Sequence, residues 1–369
     1  MQRVPNFGSL LQSYGLKKML EELGHTVFFL DIEPNPADNR LLQGRCNYFP
    51  SEGEPGGTLK SKIKKMDRYF LNRLNNKRLA RKQNELFEEF GISVLGINDR
   101  ANSEKYDCCV IGSDEVFNCL TGAPWGFTTQ LFGNVPQARK VITYAASCGA
   151  TGYEDVPQPA RDAIRRTFEK VDAFSVRDEN TRRFVSELTN KPVQEHLDPV
   201  LVANFREEIQ QAKLPEDLPE RYCVIYSYYN RICQKQDIEE ILSFCRRHEL
   251  TPLTVGAPQM WVRRHLTLDP FGALKVIQNA AFVITDTFHG TIFSAKYAKR
   301  FAVKVRASNQ NKLEDLIFKI GVQAHRIDSF RELDERFAVE NNSAGVHRMV
   351  EREKLRTREY LLNNIYKEA

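Results

Sequence analysis

The stretch from Phe282 to Lys304 constrains this chain most. An apolar run, Ala280 to Ile284, stops at the polar turn Thr285-Asp286-Thr287. A helix-like segment with Ile292, Phe293 and Ala295 follows, then a second apolar run around Phe301 to Val305. Strand, polar turn, helix, strand is the unit of a parallel α/β sheet. Ligands of such sheets sit at the carboxyl ends of strands, where the next helix offers unpaired backbone N–H groups to anions. His289 falls at that point, beside Gly290, which lets a ligand approach the backbone closely. A capping Asp286 or Thr287 and a histidine that merely packs fit the same spacing.

The rhythm repeats along the chain. At 369 residues two domains are expected. Asn6-Phe7-Gly8 runs into a helix with Leu10, Leu11, Tyr14 and Met19 on one face and Gly24 at its end, and Val27 to Leu30 reads as a short buried strand. A loop entering a helix normally follows a strand here, yet few residues precede Asn6. Either the first strand is missing from the sequence or the domain does without it. Cys108 to Ile111 reads as a strand ending on Gly112-Ser113-Asp114-Glu115, Ala173 to Arg177 as another, and Val193 to Val202 as a strand whose exit is set by Pro199. Strand–helix units in both halves predict two doubly wound, Rossmann-like α/β domains with a cleft between them. The expected boundaries are 1–203 for the first domain, 204–221 for a linker, 222–345 for the second domain and 346–369 for a terminal helix. Within the first domain, about 58–90 forms a basic helical insertion, in which Lys60, Lys64, Arg68, Arg73 and Lys77 interleave with Met66, Tyr69, Phe70 and Leu74. Such a helix can lie on an anionic membrane surface or touch a lipid-linked diphosphate; a solvated face has the same pattern.

Composition narrows the class. With 41% hydrophobic and 27% charged residues the chain is globular. No run reaches the roughly 18 to 20 apolar residues of a membrane span, and the N-terminus has no apolar signal-peptide core. Eight cysteines without a CxxC suit reduced thiols in the cytoplasm better than a disulfide framework or a zinc site. A net charge of +5 permits an anionic ligand, and no stacking platform accompanies it that would point to nucleic acid. No metal-ligand set is present, so neither metal nor cofactor is expected.

Six motifs occur in order: Asn6-Phe7-Gly8 with Leu11-Gln12, Ile111-Gly112-Ser113-Asp114 with Phe117-Asn118, Tyr144-Ala145-Ala146-Ser147, Ser175-Val176-Arg177-Asp178, Asp198-Pro199-Val200-Leu201, and Asp286-Thr287-Phe288-His289-Gly290. The series resembles the polysaccharide pyruvyl transferase family over about residues 6 to 305. The resemblance implies a fold like the GT-B glycosyltransferases. It also implies a reaction in which pyruvate moves from phosphoenolpyruvate onto two hydroxyls of a sugar or lipid-linked oligosaccharide, giving a cyclic ketal in cell-surface polysaccharide synthesis. The matched histidine, His289, is then the candidate proton donor or phosphate assistant. Asp114 is the candidate to orient or deprotonate an acceptor hydroxyl. Arg177 is the matched arginine for the donor's anionic groups; the competing reading pairs it with Asp178 or Glu179. Asn6, Gly8, Gln12, Ser113, Asn118, Thr287, Phe288 and Gly290 complete the matched substrate-binding set. Lys304 and Arg306, which follow a strand end, are added on charge alone.

One position departs from the pattern: several active members carry Arg-Leu-His where this chain has Thr287-Phe288-His289. Two other functions therefore stand beside the first. A GT-B-like glycosyltransferase using a nucleotide sugar would want a ribose-binding acid in the second domain, and none is convincingly placed. A non-catalytic relative in polysaccharide assembly would tolerate the lost arginine. The expected location is cytoplasmic, with peripheral contact at the inner membrane face.

Overall fold

The computed structural model describes residues 3–45, 78–98, 100–120, 123 and 125–366. Most of the basic insertion, Lys60 to Lys77, lies outside the described residues. From residue 78 the chain is helical to 90, burying Gln83, Phe87 and Phe90 on one face. Gln83 anchors that helix to the second half of the chain: its Nε2 donates to Leu268 O at 2.7 Å, and Leu268 N donates to its Oε1 at 3.1 Å.

Two parallel sheets organise the molecule. The first is four-stranded, in the order β1 (Tyr106–Asp114), β2 (Ala138–Ala146), β3 (Phe174–Val176), β4 (Val193–Glu195). The second holds β5 (Tyr222–Tyr226), β6 (Thr251–Val255), β7 (Arg264–Leu266), β8 (Phe282–Thr285), β9 (Phe301–Lys304) and β10 (Arg326–Ile327), in the order β10-β9-β8-β5-β6-β7. Taken from the other edge, that is the doubly wound order 3-2-1-4-5-6, which reverses between β5 and β8. Both strands are buried along their whole length, which is why they read as unbroken apolar runs. Tyr226 pairs with Thr285, so the turns after β5 and β8 open side by side at the reversal.

Several local expectations are corrected. Val27 to Leu30 forms no strand, and Phe28 is 52% exposed. A strand needs a ladder partner, and a groove of about 860 Å³ separates this segment from β1, the edge of the first sheet. The strand expected over Val193 to Val202 stops at Glu195; Asp198 then caps a helical turn, Pro199–Val202, with proline at its first position. The short helix Arg206–Gln211 within the expected linker is an addition and not a correction, and β7 was not expected.

The terminal helix, Ser343–Ile365, returns to the first sheet. Tyr360 OH donates to Thr143 O at 2.8 Å, the Tyr144 and Thr357 hydroxyls meet at 2.9 Å, and Leu197 N donates to Glu353 at 3.0 Å. At its other end Asn341 donates to Ala298 O at 2.9 Å, beside the second sheet, so the helix spans both halves. Among the described residues no helix is long and apolar enough to cross a membrane.

His196 lies under this helix, 2% exposed, with Nδ1 2.9 Å from Ser175 Oγ and its ring against Tyr360. Burial, aided by Arg356, pushes its pKa down to about 4. The folded protein therefore keeps it neutral where the unfolded chain takes up a proton. Its contribution is intact above pH 6.5 or so and lost as pH falls towards 4, a loss on the order of 1–3 kcal/mol. We expect the melting temperature to decline across that window and His196→Gln to flatten the decline. An equal slope in the variant would assign the acid sensitivity elsewhere.

Candidate active site

Two helix N-termini meet between the sheets. Asn6 caps the helix Phe7–Glu21, its Oδ1 accepting from Ser9 N at 2.8 Å. Thr287 caps the helix Phe288–Tyr297, its Oγ1 accepting from Gly290 N at 3.0 Å. The capping role open to Thr287 in the sequence is thus the one it plays. Each cap satisfies the third amide and leaves the first two of its helix outside the intrahelical ladder. The two ends touch: a Cβ on Gly8 would overlap His289 Nδ1, so only glycine lets the first helix approach the imidazole this closely. Ser9 Oγ donates to Asp114 Oδ2 at 2.9 Å, bringing the end of β1 to the same point. Asp114 sits there with φ of +67°, in the left-handed region that non-glycine residues seldom occupy.

Behind His289 lies a buried acid, Asp198, 1% exposed. Its Oδ2 is 3.6 Å from His289 Nε2 and 2.8 Å from Arg177 Nη1, and Ser113 Oγ donates to it at 3.4 Å. Its Oδ1 accepts from Val200 N at 3.0 Å. Burial alone would raise the Asp198 pKa; the imidazole, the Arg177 guanidinium and the Val200 amide outweigh it and hold the carboxyl well below the usual carboxylate range. The 3.6 Å separation is longer than a hydrogen bond.

Arg177 pairs with neither Asp178 nor Glu179. Asp178 accepts from Thr181 N and Ser147 Oγ, Glu179 faces Arg182 and Arg183, and Arg177 reaches Asp198 with its guanidinium 4.2 Å above the Phe288 ring. Its Nε is buried without a protein partner, as are His289 Nε2 and Arg306 Nη2. Arg306 Nε donates to Asp286 at 2.7 Å, and Ser227 and Arg231 also approach that carboxylate, at 2.6 and 3.6 Å. Across the crevice Lys312 joins Glu115 at 2.9 Å, linking the two halves.

A cavity of about 650 Å³ opens at the two helix ends; its wall includes Asn6, Gly8, Asp114, Thr287 and His289, and Arg177, Asp198 and Arg306 are not on it. The other sequence-predicted residues stand off it. Phe288 lies beneath Arg177, and the Gly290 amide is consumed by the Thr287 cap. Gln12 is buried facing the groove beside β1. Asn118 donates to Glu115 at 2.8 Å and accepts from Thr151 at 2.7 Å. Lys304 donates to the Asp328 carbonyl. Sequence reasoning overlooked Asp198, Ser9 and Arg231. Asp198 had a signal, an Asp-Pro pair in a matched motif; the other two are ordinary polar residues until the fold brings them in.

A family model described as polysaccharide pyruvyl transferase matches residues 6–306. No curated protein sequence matches the chain. Among solved structures, the glycosyltransferase SnogD from Streptomyces nogalater is similar at 13% identity and a TM-score of 0.39, over 97% of this chain and 97% of that chain. The fold assignment rests on the parallel sheets and strand order described above. The family match spans all six sequence motifs and both helix ends that meet at His289, and the chain belongs to the polysaccharide pyruvyl transferase family.

Proposed function

We propose that this chain transfers pyruvate from phosphoenolpyruvate to two hydroxyls of a sugar, forming a cyclic ketal and releasing phosphate. The observation that carries the reading is the convergence of two capped helix N-termini on His289, whose ring stands against a buried carboxylate. Phosphoenolpyruvate bears a carboxylate and a phosphate, and helix N-termini attract such groups without a metal or a side-chain cation. That arrangement bears on Thr287, which caps one helix where relatives place an arginine. In the reaction, a proton is added to the methylene carbon of the donor, and one sugar hydroxyl attacks C2 and loses its proton. Phosphate then leaves as the second hydroxyl oxygen closes the ring, and the proton of that hydroxyl goes to the departing phosphate. His289 supplies the proton or assists phosphate departure, and Asp114, on the cavity wall, receives a hydroxyl proton.

Thermal denaturation with phosphoenolpyruvate, UDP and GDP tests the donor. Phosphoenolpyruvate is expected to raise the melting temperature by several degrees at concentrations well above its Kd, while the nucleotides leave it in place. Stabilisation by a nucleotide and not by phosphoenolpyruvate returns the chain to the glycosyltransferase reading.

A further inference from the structure

We propose that Lys296 is a positioning residue: by clamping the helix that carries His289 to the helical turn capped by Asp198, it sets the ring-to-carboxylate distance on which His289 acts. Its kinetic readout rests on the pyruvyl-transfer reading, and its spectroscopic readout does not.

The turn Pro199–Val202 is only four residues long, and so short a helical piece has no stability of its own. Its place is set by what it touches. On the near side Asp198 Oδ1 accepts from Val200 N at 3.0 Å, and the helix Phe7–Glu21 packs so closely that a Cβ on Gly15 would stand 3.0 Å from Pro199 O. Pro199 O accepts from Ala203 N at 2.8 Å, while the later carbonyls lie past the turn's own ladder. Lys296 reaches two of them. Its Nζ donates to Val200 O at 2.6 Å and to Ala203 O at 2.7 Å. Beyond the turn the amine lies 5.3 Å from the Phe205 ring.

Lys296 follows His289 by seven positions in the helix Phe288–Tyr297. Two turns apart on one face, the two side chains address the same neighbour from points about 10 Å apart. At one point the imidazole stands 3.6 Å from Asp198; at the other the amine holds the carbonyls that follow Asp198 in the chain. A helix is stiff along its axis, so a slide released at the lysine is felt at the histidine. Asn341 also grips this helix, donating to Ala295 O and Ala298 O at 2.9 Å, but it ties the helix to the terminal segment and not to the Asp198 turn. Burial pushes the Lys296 pKa down to about 7, with Lys354 adding to the shift and Asp198 opposing it. Either protonation state has two N–H groups for two carbonyls, so the clamp holds across neutral pH.

Selective ¹⁵N-histidine NMR and steady-state kinetics of Lys296→Met test the clamp. The His289 signals are assigned by their loss in His289→Ala. In the parent, at a pH where the ring is neutral, its proton is expected on Nε2, facing Asp198. In Lys296→Met the two tautomers should mix, and the two ring-nitrogen shifts should move towards each other. The kcat for phosphate release should fall about 10- to 100-fold, the scale of a misplacement of about 1 Å, while KM changes less than about twofold. In an Asp198→Asn background the same substitution should change kcat less than about twofold, because the distance it sets no longer serves a carboxylate. A packing role alone would lower the melting temperature and leave the tautomer and the rate per folded molecule as in the parent. That result, a loss confined to KM, or an equal loss of kcat with and without Asp198 overturns the proposal. Where Lys296→Met does not fold, Lys296→Gln, which keeps an amide donor, is read in the same way. A parent that releases no phosphate from phosphoenolpyruvate removes the pyruvyl-transfer reading, and the nitrogen signals then decide alone: mixed tautomers in the variant uphold the clamp, and unchanged ones overturn it.

Discussion

Replacing His289 with alanine is expected to lower phosphate release from phosphoenolpyruvate by roughly 10²–10⁴-fold, the usual contribution of a positioned acid–base group. The ring is held on all sides that matter. Gly8 packs directly on Nδ1, the Phe288 and Phe293 rings stand 5.5 and 6.2 Å away, and Asp198 faces Nε2. Among the described residues the other histidine on the cavity wall is His265, whose Nδ1 lies 2.9 Å from Thr254 Oγ1 and whose pKa burial pushes down to about 4. The loss should fall on kcat more than on KM, because the binding amides belong to the helix ends and survive the change. The fold should survive too: Asp198 keeps Arg177 as its counter-ion, so no buried charge is orphaned. A variant with a wild-type rate would take His289 out of the mechanism and leave it as the packing residue its spacing also allowed. A variant that melts far below the parent would show that the ring is needed for folding, and the milder His289→Gln would then have to carry the kinetic comparison.

What could be read from the sequence follows from how far each signal reaches. The second sheet was legible because its strands are buried on both faces, and burial writes itself into runs such as Phe282 to Ile284. His289 was legible because a strand end and a helix start bracket it within a few residues. Asp198 was hidden in a different way. Its sequence neighbours announce a capped turn, which is true, while its other oxygen serves Arg177 and His289, residues that only the fold brings near. Gly8 could be noted as a glycine in a loop, but nothing local says that an imidazole 281 positions later fills the space a Cβ would need. Val27 to Leu30 failed for the converse reason. Its composition is that of a strand, and a strand is a pairing, which β1 across the groove does not provide.

Asp198→Asn should damage both stability and rate, and the two losses have separable causes. The substitution keeps an oxygen for the Val200 amide, so the helical turn Pro199–Val202 retains its cap. It removes the charge that offsets Arg177, a guanidinium only 6% exposed and held 2.8 Å away. Breaking a buried pair from one side costs about 3–5 kcal/mol, because the surviving charge has no water to turn to. The wild type should show the complementary acid behaviour. Since the folded carboxyl titrates below its unfolded value, its stabilisation is present above about pH 4 and disappears as pH falls below that. The variant should lack that component of the acid transition. Its rate should also fall, on the order of a hundredfold, through misplacement of His289 and not through a lost contact with substrate. The double variant Arg177→Met/Asp198→Asn separates the effects: removing both charges should recover much of the stability and little of the rate. Recovery of both together would mean that Asp198 is only a counter-ion for Arg177, and that His289 needs no carboxylate behind it.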